Sequence, residues 1–198
     1  NDADTGRRVI AALCRLLLRL AGWRIVEPAE RPLKAVFVVY PHTSNWDFPL
    51  GLLYRFGQGL PIHWAAKDTL FFWPLGGLFR RIGGVPVNRR ERTGFVEQMM
   101  REFETHACFY LAIAPEGTRQ ATGYLKSGFY RLALSAGVPL ALACIDYARR
   151  EVGVLAWYTP CGDEGTDLAA LAAIYAGRQG RFPAQQAPFT FIEPGRPA

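Results

Sequence analysis

The sequence predicts an α/β fold: a single domain with a mostly parallel central sheet flanked by helices, preceded by an N-terminal amphipathic helix. Three observations carry that prediction. Strand-length apolar runs alternate with helix-length segments, the order that lays helices on the faces of a sheet. Two of those runs, residues 35–40 (Ala-Val-Phe-Val-Val-Tyr) and 108–113 (Cys-Phe-Tyr-Leu-Ala-Ile), are continuously apolar, as strands covered on both faces are. The 198 residues, 50% apolar and 20% charged, suit one domain with a sizeable core. No internal repeat and no linker interrupts the pattern.

Residues 8–23 read as the amphipathic helix. Arg8, Arg15 and Arg19 fall within a narrow arc at about 100° per residue, and Leu13, Leu16, Leu17 and Leu20 fill much of the rest. The plain reading is a surface helix packed on the core. The favoured one is a helix lying in a lipid headgroup region with its cationic face outward. Pro28 and Pro32 then break the chain before the strand at 35–40, and Pro41 ends that strand. A helix is expected over 46–56 and a short strand over 62–66. Asp68 is placed to cap a helix over 69–81, which Pro74 and Gly76-Gly77 kink or split. The segment 85–87 is strand-like, and Pro86 assigns it to an edge or a bulge. A helix over 92–105, the strand at 108–113, a loop over 114–123 and a helix over 127–136 follow. Two strands, 139–147 and 152–158, meet at the charged turn Arg149-Arg150-Glu151. An Ala-rich helix spans 167–177, and the tail from Phe182 reads as irregular apart from Phe189-Thr190-Phe191-Ile192.

The net charge of +6 admits a nucleic acid, an anionic bilayer or a phosphorylated substrate as partner. No zinc-finger or RNP-type segment is present, so nucleic acid is set aside. Cys14, Cys108, Cys144 and Cys161 show no CxxC spacing, which points to a reducing compartment, and His42, His63 and His106 lack ligand spacing, so no metal is expected. No run of about 18 uncharged apolar residues marks a membrane span. The first residues are acidic and polar, unlike a signal peptide.

Chemistry concentrates in loops that follow buried strands, where α/β proteins place their ligands. Pro41-His42-Thr43-Ser44-Asn45-Trp46-Asp47 follows the strand at 35–40. In one regular helix His42 and Asp47 would point about 140° apart. A turn at Thr43-Ser44 instead brings the carboxylate to the imidazole, where it fixes one tautomer and leaves the other ring nitrogen as a base. On spacing alone the plainer alternative is preferred: Asp47 caps the next helix and His42 is an ordinary loop residue. Pro115-Glu116-Gly117-Thr118-Arg119 follows the strand at 108–113. It offers a carboxylate, a glycine that allows close backbone approach, a hydroxyl and a guanidinium able to grip phosphate, with Lys126 nearby as a further cation. Gly83-Gly84-Val85-Pro86-Val87-Asn88-Arg89-Arg90 offers arginines, of which Arg90 and Arg92 read as solvated.

Together, in order, these segments resemble the glycerolipid acyltransferase family, which includes the lysophosphatidic acid acyltransferases. Its first motif, His-x4-Asp, is matched by His42 and Asp47; its second by Gly83 to Arg89; its third, Pro-Glu-Gly-Thr-Arg, by Pro115 to Arg119; its fourth by Val138-Pro139. Pro41 and Pro86 depart from the family's usual Asn and aromatic. The resemblance implies acyl transfer from acyl-CoA or acyl-carrier protein, needing no cofactor, to a hydroxyl of a lysolipid acceptor, foremost 1-acylglycerol-3-phosphate. It implies His42 as base and Asp47 as its partner, with Arg89, Glu116, Gly117, Thr118, Arg119 and Lys126 binding substrate. The backbone around Glu116-Gly117-Thr118 is the expected oxyanion site. Separately, the amphipathic helix, the aromatic share of 13% and the positive charge assign residues 1–34 to a membrane-associating segment, with 35–198 the acyltransferase domain, peripheral or monotopic at the cytoplasmic face of an anionic membrane. The rival readings are a lipid-binding protein that keeps the fold without catalysis and a thioesterase using water.

Overall fold

The computed structural model describes residues 2–87 and 92–191. Its seven-stranded sheet has the order β1–β7–β6–β2–β5–β3–β4. The strands are β1 (Arg24–Val26), β2 (Lys34–Val39), β3 (Ile62–Lys67), β4 (Gly84–Val87), β5 (Phe109–Ile113), β6 (Leu140–Asp146) and β7 (Glu151–Tyr158). Five of them, β6, β2, β5, β3 and β4, run parallel. The β6–β7 hairpin is antiparallel, so β7 and its parallel neighbour β1 run the other way. The continuously apolar runs became β2 and β5 at the centre, and every residue of β6 is buried. Pro86 lies on β4, the edge strand, where a missing N–H costs least.

Side chains alternate across each strand, so the sheet divides the core in two. On one face Val36, Val38, Leu111, Leu140 and Leu142 meet Met99 and Phe103 of α4 (Arg92–Thr105), Phe129 and Leu132 of α5 (Gly128–Ala136), and Leu171 and Tyr175 of α6 (Glu164–Tyr175). On the other, Ala35, Phe37, Tyr110, Ala141, Val152 and Val154 meet Leu18 of α1 (Asp2–Leu20), Trp23, and Tyr54 of α2 (Asp47–Gly57). Phe79 of α3 (Leu75–Arg81) packs edge-on to Phe48 of α2 and Trp64 of β3, which adds α3 to that second layer.

Several elements differ from the sequence reading. The helix expected over 69–81 is a 3-10 turn, Asp68–Leu70, followed by α3. Pro74 stands at the α3 N-cap without an N–H to donate, and Gly76 lies so close to Phe71 O that a Cβ would be 2.3 Å from it. Strand β1 was not expected: three residues after a helix carry too little pattern. The last helix starts earlier because Asp163 caps it, accepting from Thr166 N at 2.7 Å. Helix α1 turns its arginines to a flank, not outward. Ala11, Cys14 and Leu18 face the core, Arg15 donates to Gly57 O at 2.6 Å, and the outer face is apolar: Val9, Ile10, Leu13, Leu16, Leu17 and Leu20 are all exposed.

Candidate active site

The parallel arrangement puts the ends of β2, β5 and β6 side by side, and three chain segments converge there. After β2 the chain passes through a cis Tyr40–Pro41 bond into the His42 loop. Asp47 N donates to Ser44 O at 3.3 Å, the turn that the motif required. That turn brings Asp47 Oδ2 to 2.9 Å from His42 Nδ1. The contact is close, but the ring nitrogen does not meet hydrogen-bond geometry toward the carboxylate.

Asp47 is not the helix cap that spacing alone favoured; α2 has no side-chain cap bond. Its carboxylate, 3% exposed, turns back instead. Oδ2 accepts from Ser44 N at 3.0 Å, and Oδ1 accepts from the Tyr147 hydroxyl at 2.8 Å. Tyr147, just past β6, was missed by sequence reasoning. It comes within reach only because β6 lies beside β2, a fact of strand order. Burial pushes its phenol well above the ordinary range, and the bond to Asp47 adds to that. It is therefore a proton donor to Asp47 at neutral pH.

Glu116 lies inside the protein, off the cleft described below. Its Oε2 accepts from His42 N at 2.6 Å and its Oε1 from Ala187 N at 3.2 Å. Burial raises its pKa, while the backbone bonds from Ala187 and His42 oppose the rise. Gly117 has φ +64, and a Cβ there would lie 2.7 Å from Lys126 Nζ, so this glycine both makes the turn and admits the lysine. Gly117 N donates to Ala114 O at 3.1 Å, which occupies one of the backbone groups expected to serve an oxyanion.

Beside the His42 loop is an open cleft of ≈ 670 Å³, bordered by residues 43–46, by Thr118, Arg119 and Gln120, and by Arg181, Phe182 and Gln185. Thr118 Oγ1 accepts from Gln120 N at 3.3 Å and keeps its own hydrogen to donate. Arg119 is exposed here, whereas Glu116, Gly117 and Lys126 do not border the cleft. Arg89 lies outside the described residues.

The third cleft wall is the segment expected to be an irregular tail. Residues 178–191 form a strap across the site. Phe182 N donates to Thr43 Oγ1 at 3.1 Å, Tyr40 Oη to Ala187 O at 2.7 Å, and Leu125 N to Thr190 O at 2.7 Å. With its amide nitrogen turned inward, Gln185 donates to Arg119 O at 2.6 Å and Thr43 O at 3.2 Å.

Residues 24–145, well over half of the chain, match the family model described as Acyltransferase. The chain belongs to the acyltransferase family. It is 34% identical over 139 residues to a probable 1-acyl-sn-glycerol-3-phosphate acyltransferase of Mycoplasma pneumoniae, covering 65% of this chain and 51% of that protein. It is 36% identical over 105 residues to a glycerol-3-phosphate acyltransferase of Pasteurella multocida, covering 48% of this chain and 13% of that one. The chain thus spans about half of the first relative and a small part of the second. The 1-acyl-sn-glycerophosphate acyltransferase of Thermotoga maritima superposes with a TM-score of 0.45 at 21% identity, over 68% of this chain and 55% of that one. The matched acyltransferase segment holds His42, Asp47 and residues 115–119. Tyr147 and the strap lie beyond it.

Proposed function

We propose that this chain moves a fatty acyl group from acyl-CoA or acyl-carrier protein to a hydroxyl of a lysophospholipid-like acceptor, with 1-acylglycerol-3-phosphate the acceptor favoured. The observation that carries this reading is the orientation of Asp47. A buried carboxylate anchored by Ser44 N and Tyr147 faces His42 Nδ1 beside a cleft edged by Thr118 and Arg119. His42 Nε2 takes the proton of the acceptor hydroxyl as its oxygen attacks the thioester carbonyl carbon. Asp47 stabilises the imidazolium. The tetrahedral oxyanion is met by the Thr118 hydroxyl. Collapse breaks the C–S bond, and the imidazolium returns its proton to the leaving thiolate. Arg119, Arg89 and Lys126 supply positive charge toward the acceptor phosphate, and Glu116 holds the loop that presents His42.

The deciding assay measures thiol release by purified protein with acyl-CoA, with and without lysophosphatidate. Acceptor-dependent release, lost about 10²–10⁴-fold in His42→Ala, is expected. Release that ignores the acceptor makes the protein a thioesterase, and none with any acceptor makes it a lipid-binding protein. Ser44 is buried and its Oγ accepts from Trp46 N at 3.2 Å, so it is read as a loop residue and not as an acyl carrier. Ser44→Ala is expected to keep activity within about tenfold, and a loss as deep as that of His42→Ala would replace direct transfer by an acyl-serine route.

We also propose that residues 1–34 dock the protein peripherally on an anionic membrane, at the cytoplasmic face where the thioester donors are. No described helix is long and apolar enough to cross a membrane. The outer face of α1 is apolar with Arg8 and Arg19 at its flank, and the same layer presents Phe72, Trp73, Leu75 and Leu78 from the β3–β4 connection. Trp73 is 90% exposed. Such a surface suits the headgroup boundary. Flotation with anionic liposomes is expected to carry the protein upward. Leu13→Glu with Leu17→Glu is expected to abolish this, and unchanged flotation would remove α1 from the docking face.

A further inference from the structure

We propose that Arg181, on the strap, is a specificity residue that binds the phosphate of the acyl acceptor opposite Arg119. This rests on the acyl-transfer reading above, and it names a contact outside the segment shared with the family model, which ends at residue 145.

Arg181 and Arg119 border the same cleft as residues 43–46 of the His42 loop. Neither guanidinium has a carboxylate within ion-pair distance among the described residues. Two guanidiniums edging one cleft match the charge and the forked hydrogen bonding of a phosphate monoester. The position of Arg181 is built, not accidental. Gly180 before it is buried against Thr43, whose Oγ1 a Cβ there would approach to 2.5 Å. Phe182 after it donates to Thr43 Oγ1. Gln179 O accepts from Tyr147 N at 2.9 Å, which ties the strap to the residue that holds Asp47. The guanidinium itself lies 5.8 Å over the Trp46 ring, one residue before Asp47. A cation–π contact, made here with Trp46 and equally with Phe182, uses no N–H donor and leaves those groups to bond an anion. Arg181 therefore stands against Trp46 of the His42 loop, on a support that includes both that loop and Tyr147. A phosphate held there keeps the attached glycerol hydroxyl near His42.

The same phosphate chemistry occurs in the CoA donor, so the test separates the two. Initial rates of Arg181→Ala, Arg181→Lys and the wild type are compared with lysophosphatidate, with phosphate-free monoacylglycerol and with acyl-CoA as varied substrates. Binding of short-chain lysophosphatidate is measured by calorimetry alongside. Expected is a rise of tenfold or more in the lysophosphatidate KM for Arg181→Ala. Arg181→Lys should recover only part of this, and the monoacylglycerol and acyl-CoA KM should stay within twofold. An unchanged lysophosphatidate KM, or a rise confined to acyl-CoA, overturns the proposal while leaving acyl transfer intact. A wild type that transfers to no acceptor but binds lysophosphatidate in an Arg181-dependent way overturns the enzymatic reading and keeps the subsite. Absence of both overturns both.

Discussion

Asp47 fills its carboxylate with neutral donors, not with an arginine. That choice leaves its charge available to the imidazole, because a guanidinium at Oδ1 would neutralise the negative charge that stabilises protonated His42. Tyr147 orients the carboxylate without cancelling it. Tyr147→Phe keeps the ring and its edge-on contact with Trp23 but removes the hydroxyl. The expected outcome is a fall in kcat of roughly 10–150-fold, the worth of one bond of about 1.5–3 kcal/mol to a charged group, with the acceptor KM little changed. Steady-state kinetics and a thermal melt check this; a melt shift without a kcat change would make Tyr147 purely structural. Glu116 works differently, since its two oxygens serve two backbone N–H groups. Glu116→Gln turns an NH₂ toward one of them and is expected to destabilise the fold by about 1–3 kcal/mol, measured by urea unfolding.

At the level of elements, strand β1 carries more of the fold than its three residues suggest. Gly153 of β7 has φ +142, and a Cβ there would stand 2.0 Å from Val26 O. Gly153→Ala is therefore expected to push β1 off the sheet edge and cost about 2–4 kcal/mol in urea unfolding, a penalty that a surface glycine such as Gly123 would not show. The same contrast explains what was legible in sequence. β2 and β5 were readable because burial on both faces writes a continuous apolar run. The His42–Asp47 pair was readable only through its resemblance to a family motif, since spacing alone favoured Asp47 as a helix cap. Strand β1 and the 3-10 turn at Asp68–Leu70 were not, because their reasons are backbone contacts: Val26 O against Gly153, and Phe71 O against Gly76. Tyr147 stands a hundred positions from Asp47, and the strap meets Thr43 across 139. Contacts at such separation follow from strand order, which local pattern does not encode. Phe48, Trp64, Phe71 and Phe79 pack together, while Trp46, Phe72 and Trp73 stay exposed.

Across the whole molecule, buried carboxylates pin the C-terminal half to the sheet, and this sets how acid acts. Asp167 is fully buried and accepts from Tyr158 Oη at 2.6 Å, Tyr130 Oη at 2.8 Å, and Cys161 N and Gly162 N at 3.0 Å each. Burial alone would raise its pKa; those donors hold it far below the ordinary aspartate value. Glu151 is also lowered, first by its bond from Arg178, against the opposing effect of burial and with help from Arg24. Arg178 in turn meets Asp146 at the point where the strap leaves α6. Folded pKa values below the unfolded ones mean that this stability is fully present above the unfolded range near pH 4 and is lost as pH falls through the folded values. At pH 7, Asp167→Asn is expected to be less stable by about 2–4 kcal/mol, because an amide cannot accept on both sides. Melts from pH 7 to 2.5 should then show the gap between wild type and variant narrowing below about pH 4, because the unfolded wild-type chain takes up a proton there while the folded carboxyl, held far lower, does not. A gap that stays constant to pH 2.5 would mean that the charge of Asp167 contributes nothing, and that only its shape holds α6 to Tyr130 and Tyr158.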